Sequence, residues 1–142
     1  MLQRILDLPV PVLATARTGS CCMFAASVTL GAPLAARWMD RFGDRLYNLC
    51  GSSEAGFGTL GTPDDLRAAP GTVGRPPLGT RLKILDPESR TLPPGEIGHI
   101  AISSGMLFEG YVGGGDKRRW RGFLNTGDLG IGSRRSCLRG RP

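Results

Sequence analysis

Histidine is almost missing from this sequence, with His99 alone among 142 residues. The four cysteines, Cys21, Cys22, Cys50 and Cys137, have no metal-ligand spacing, and adjacent cysteines cannot easily pair with each other. A structural zinc site and a disulfide framework are therefore excluded, and a reducing, cytoplasmic setting is expected. No apolar run approaches the length of a membrane-spanning helix. Arg4 and Ala14-Thr15-Ala16 superficially suggest a secretion signal, but Asp7, Pro9 and Pro11 interrupt the apolar run between them. Acid is scarce at one end. Residues 117–142 hold eight Lys and Arg against Asp128 alone, a net +7, so residues 1–116 total −1 and the overall +6 belongs to the tail. That tail lacks the interleaved aromatics of a nucleic-acid surface, which disfavours a nucleic-acid partner.

What is present suits one domain rich in turns. Forty per cent apolar residues allow a core, while 22 glycines and 11 prolines favour short strands over long helices. Leu2, Ile5, Leu6 and Leu8 predict a short helix over 1–8, ended by Pro9, and residues 10–22 show no period. Met23–Ser27 reads as a short strand. Pro33 opens a helix whose stripe is Leu34, Trp38, Met39 and Phe42, with Gly43 as its stop. Thr62-Pro63-Asp64-Asp65 carries the cap, proline and early acids of another short helix. Residues 81–86 alternate charged and apolar, and residues 96–103 place Ile97, His99 and Ala101 opposite Gly98, Ile100 and Ile102, so a hairpin is expected. His99 on that face reads as structural. Gly113-Gly114-Gly115 lacks the Lys-Ser/Thr that would make it a phosphate loop.

Tyr47 to Gly58, YNLCGSSEAGFG, is the stretch with chemistry. An apolar strand runs into Gly51, where a sharp turn is expected, and delivers Ser52, Ser53 and Glu54 at its carboxyl end. One carboxylate beside two hydroxyls suits Mg²⁺ and a phosphate oxygen. The same residues also suit a capped turn before a short helix.

Downstream lie GEIGHIAISSGMLFEGY, residues 95–111, and NTGDLG, residues 125–130. In that order, and with LRAAPGTVGRPPLGTRLKILD between, these segments and CGSSEAG resemble three core motifs of the adenylate-forming superfamily, most like bacterial fatty-acyl-CoA ligases. The resemblance spans about residues 30–130. It implies an α/β fragment of the large N-terminal domain, an αβ unit over 30–60 followed by a small β-barrel over 70–130. Residues 1–29 stay unassigned, and 131–142 form a basic tail expected to lack order.

The resemblance also implies roles. Glu54 would hold Mg²⁺, Ser53 would contact phosphate, and Cys50, Gly51, Ser52 and Ser53 would line the nucleotide. Asp128, after a glycine turn, would accept both ribose hydroxyl protons. Gly105, Gly110 and Tyr111 would shape the pocket wall. ATP or AMP, coenzyme A and a fatty acid are the implied ligands. Three departures stand out. Val28 occupies a slot that holds a small residue against adenine in the family, and Cys50 replaces a stacked tyrosine, a loss on the order of 1 kcal/mol. A phosphate-gripping loop ending in Pro-Lys, a hinge and a C-terminal catalytic lysine are not found. The expected function is thus an internal segment of an ATP-dependent fatty-acid–CoA ligase, inactive as the isolated chain. The alternatives are a non-catalytic interaction module or degenerate gene product, and a binder of nucleic acid through its arginines.

Overall fold

The computed structural model describes residues 1–9, 22–26, 29–133 and 138–140. Val28 and Cys21, and the arginines at 134, 135 and 141, lie outside the described residues.

Two sheets make up the fold. Helix α1 (Leu2–Leu6) precedes strand β1 (Met23–Ala25), and helix α2 (Ala32–Phe42) then leads to β2 (Leu46–Ser52). β1 and β2 are parallel, Met23 facing Leu46, so α2 is the crossover of a βαβ unit. Pro33 lies in the first turn of α2, and Gly43, at φ 87°, closes it with its N–H on the Met39 carbonyl at 2.8 Å. The predicted stripe packs as expected: Trp38 and Met39 are buried with Ala35, Leu46, Leu66 and Leu2, and the Phe42 ring lies tilted against Trp38 at 4.5 Å between centroids.

After β2 the chain does not enter a helix. It turns back at once into β3 (Gly56–Gly61), which pairs antiparallel with β2. Helix α3 (Pro63–Ala68) follows, with a full capping box between Thr62 and Asp65, and Arg67 ties it to Asp40 and Asp44 at 2.7 and 2.9 Å.

The second sheet is antiparallel and curled, half of a barrel. β4 (Thr72–Gly74), β5 (Arg81–Leu85), β6 (Ile97–Ser103), β8 (Phe123–Gly132) and β9 (Leu138–Gly140) are ordered β4-β9-β8-β6-β5, and β7 (Arg119–Trp120) pairs with β8. The expected hairpin is β5 on β6, with Leu85 opposite His99. Where the sequence suggests an unordered tail, the backbone of Leu138–Gly140 instead pairs between β4 and β8. Ile100, Ile102, Leu124, Ile84 and Val73 form the core of this half.

One junction between the sheets lies at Asn48. Asn48, buried on β2, donates from Nδ2 to the Thr72 carbonyl at 2.9 Å. Beside it Leu60 and Arg75 exchange two backbone hydrogen bonds, at 2.8 and 3.1 Å.

Burial along β6 gives a direct test. Ile102 is fully buried, so Ile102→Ala should lower the unfolding free energy by about 3 kcal/mol. Ile97, on the same strand but 44% exposed, should tolerate the same change within about 0.5 kcal/mol. Urea midpoints measure both, and equal losses would contradict the packing.

Candidate functional site

Gly51 is a close-approach residue and not the turn itself. β2 continues through Ser52, the register shifts between Cys50 and Gly51, and a Cβ on Gly51 would collide with the Gly56 carbonyl oxygen. The turn is Ser53–Ala55, the tip of a hairpin. The Ala55 N–H donates to Ser52 Oγ at 3.1 Å, which fastens the tip across its own base. Ser52 is thereby committed to the turn, and Ser53 stands exposed at its apex.

The tip is held from the other sheet. The Phe108 N–H donates to the Glu54 carbonyl at 2.9 Å and Ser104 Oγ to the Ala55 carbonyl at 3.2 Å, so the segment after β6 cradles the hairpin. Two side chains then meet the Glu54 carboxylate. Tyr111 Oη donates to Oε1 at 2.6 Å, and Lys117 Nζ lies 3.2 Å from the same oxygen. The Tyr111 hydrogen bond first, then hydrogen bonds from Glu54's own backbone N–H and the Ser52 hydroxyl, and least of all Lys117, lower the Glu54 pKa from 4.5 to about 2 against a small opposing effect of burial. The same hydrogen bond raises the pKa of Tyr111.

Lys117 is placed by its neighbours. Asp116 accepts the Lys117 backbone N–H at 2.7 Å and pairs with Arg119 at 3.0 Å. Arg119 in turn donates to the Phe108 carbonyl at 2.5 Å, and Phe108 meets Tyr111 edge to face at 4.9 Å. Phe108, Tyr111, Asp116 and Arg119 together frame the ammonium.

The second motif of the site is a bulge and not a turn. Asn125–Gly130 lies inside β8, and between the pairs Ala101–Asn125 and His99–Leu129 one β6 residue faces three β8 residues. Gly127 takes φ 91° at the crest, a conformation L side chains rarely adopt. Thr126 pins the bulge: its hydroxyl donates to the Ile100 carbonyl at 3.1 Å and accepts the Asp128 N–H at 3.2 Å. Asp128 is left exposed on the crest. Lys117 Nζ also donates to the Thr126 carbonyl at 3.3 Å, so one ammonium links the hairpin tip to the bulge. Cys50, half-buried in β2, completes the group. Burial pushes its thiol pKa up and the negative charge of Asp128 pushes it further, with the Thr59 hydroxyl opposing.

Cys50 thus lies within electrostatic reach of Asp128, and Lys117 links Glu54 to the carbonyl of Thr126. Among the described residues no cluster of three or more His, Cys, Asp or Glu could hold a metal by itself. Sequence reasoning missed Lys117, counted only within the basic tail, and gave Tyr111 a wall role without its bond to Glu54. The triple glycine just before Asp116-Lys117 is the signal that could have separated Lys117 from the tail, since a free backbone there lets a lysine reach inward. His99 lies on the other face of β6, in a pocket with Asp86, Arg118 and Trp120, and its Nδ1 is buried without a partner.

The Glu54 shift predicts pH behaviour. A depressed carboxylate contributes stability that is complete above about pH 4.5 and is lost as pH falls toward 2. Tyr111→Phe removes the largest contribution, so the Glu54 carboxyl should titrate well above about 2 in that variant. Side-chain carbon NMR reads this directly, and an unmoved titration would show that Tyr111 does not set it.

Comparison with known proteins identifies the family and the fold. The family described as AMP-binding enzyme matches residues 1–112. An uncharacterized acyl-CoA ligase, YhfT of Bacillus subtilis (strain 168), is 36% identical over 97 residues, covering 68% of this chain and 19% of that protein. The long-chain-fatty-acid–CoA ligase of Escherichia coli O6:H1 is 27% identical over 109 residues, covering 75% of this chain and 19% of its own. The amide bond synthetase McbA from Marinactinospora thermotolerans superposes with a TM-score of 0.84 at 26% identity, covering 99% of this chain and 29% of McbA. The chain thus spans about a fifth of the length of these curated relatives. With two-sheet fold, motif order and family match in accord, the chain belongs to the AMP-binding enzyme family.

Proposed function

We propose that residues 30–130 form the AMP-holding part of a cytoplasmic ATP-dependent fatty-acid–CoA ligase. The observation that carries this reading is the convergence of Glu54, from one sheet, and the Asp128 bulge, from the other, on a single ammonium. The fatty-acid substrate is supported by the E. coli relative's name and by the likeness of the motifs to bacterial fatty-acyl-CoA ligases.

In such a ligase a substrate carboxylate attacks the α-phosphorus of ATP and pyrophosphate leaves, giving an acyl adenylate. The thiol of coenzyme A then takes the acyl group and releases AMP. Asp128, exposed and fixed through its backbone N–H, accepts the two ribose hydroxyl protons. Glu54 is ionised at neutral pH and is aimed by Tyr111. Ser53, at the open apex, faces phosphate. Cys50 and Gly51 line the nucleotide, and Ser52 holds the turn.

A single carboxylate with hydroxyl neighbours fits Mg²⁺ only when phosphate and water oxygens complete its shell. Bound there, Mg²⁺ would neutralise charge developing on the phosphate. The described residues offer one ammonium to the same end, and phosphoryl transfer normally draws on several cations.

A second reading is a non-catalytic module that pairs with another ligase segment. It is supported by Phe24, 56% exposed on edge strand β1 and stacked on Tyr47 at 5.2 Å.

Calorimetric titration with AMP tests the main reading. The chain should bind AMP, and Asp128→Asn should weaken that binding at least about ten-fold, because an amide no longer offers two charged acceptors. AMP affinity indifferent to Asp128 would refute the reading. Fatty-acid-dependent exchange of pyrophosphate into ATP should be absent from the 142-residue chain. Exchange that Glu54→Gln abolishes would instead establish the chain as active by itself.

A further inference from the structure

Leu85, Ala101 and Phe123 form a small apolar cluster of their own, on the face of the second sheet that looks away from Ile100, Ile102 and Leu124. Cations cover it. Lys83 Nζ lies 4.7 Å from the centre of the Trp120 ring and 4.8 Å from that of Phe123, while the guanidinium groups of Arg81 and Arg121 lie 5.4 Å from Phe123 and Trp120 respectively. Arg118 lines the pocket that His99, Trp120 and Phe123 share on the same face. Among the described residues none of these four cations has an ion-pair partner. Arg81 donates to Ser103 Oγ, and Arg118 to Ser89 Oγ and the Pro87 carbonyl, all neutral oxygens. Asp86, the acid of that pocket, is taken by Arg90 at 2.6 Å.

Farther along the same face the character changes. His99 stands opposite Leu129 and Ile97 opposite Ile131, and residues paired across strands share a face. Ile97 is 44% exposed and Leu129 45%. We propose that this face docks on an anionic phospholipid bilayer, with Arg81, Lys83, Arg118 and Arg121 meeting headgroup phosphates and Ile97 and Leu129 entering the interface beside them.

The pattern selects a bilayer over other polyanions. Strand-like nucleic acid is gripped by aromatic faces left open for bases, and here Lys83 and Arg121 already lie over Trp120. Exposed aliphatic side chains next to the cations gain nothing from a polyphosphate, whereas attachment to a membrane surface grows with both buried apolar area and charge attraction. Guanidinium groups stacked on rings are also oriented in advance, so they lose less freedom when a phosphate arrives. No helix among the described residues is long and apolar enough to cross a membrane, so the contact is one of surface with surface. The inference goes beyond the ligase reading and uses neither the nucleotide nor a metal.

Co-sedimentation of the 142-residue chain with vesicles is the test. The chain should bind vesicles made of equal parts phosphatidylglycerol and phosphatidylcholine, and should leave pure phosphatidylcholine in solution. One basic residue near an anionic surface is worth about five-fold in partitioning, so Lys83→Gln with Arg121→Asn should weaken binding about twenty-five-fold. Asparagine suits position 121, where φ is 44°. Arg81→Gln with Arg118→Gln should weaken binding equally, and serves if the first pair does not fold. Arg4→Gln with Arg41→Gln removes the same charge from exposed positions on α1 and α2, and should change binding less than about two-fold. Brominated acyl chains should quench the emission of Trp120 and spare that of the buried Trp38. Equal losses in the face and helix pairs, binding that disappears only when Arg134, Arg135 and Arg141 are changed to Gln, or no binding to anionic vesicles would each overturn the inference. In the last case, capture of a single-stranded oligonucleotide through the same four cations would show the partner to be nucleic acid instead.

Discussion

The buried hydrogen bond from Asn48 to the Thr72 carbonyl fixes the relation of the two sheets, and everything at the site depends on that relation. Asn48 is an amide in the middle of an otherwise apolar strand, and leaving its partner carbonyl unsatisfied would cost about 1–3 kcal/mol. The Leu60–Arg75 bridge lies beside it, so the seam is made of directional contacts that specify one angle, where apolar packing alone would accept several. Glu54 hangs from one sheet, while Tyr111, Lys117 and Thr126 belong to the chain of the other.

Electrostatics at the tip follow from that arrangement. Glu54 is partly exposed, yet a phenol and an ammonium reach it because Phe108, Asp116 and Arg119 hold their segment in place. The site therefore has a charge balance of its own before any ligand arrives. Asp128 stands exposed on its bulge, held through its backbone N–H by the Thr126 hydroxyl.

Local sequence signals located most elements. Pro33 and Gly43 bracket α2, the Thr62–Asp65 box caps α3, and the alternation in 81–85 and 97–103 finds its hairpin. Residues 53–55 were harder, because Ser-Ser-Glu caps helices and hairpins alike, and only the pairing of β3 with β2 decides between them. The bulge was hidden for a related reason: Gly127 signals a break in extended structure without saying that the strand resumes two residues later. Lys117 could not be read from periodicity at all. Its role comes from contacts with Glu54 and Thr126, 63 and 9 residues away, and composition placed it with surface arginines instead.

The geometry of that bulge has a consequence for how the fold could change over time. One β6 residue faces three of β8, an excess of two, and two is the period of a strand's facing pattern. Residues beyond the interruption therefore keep their inward and outward sides, so Gly130 and Ile131 continue the ladder as though it had never been broken. The Asp128 bulge is in this sense a detachable module, one that a lineage could acquire or lose while the sheet beneath it kept its core.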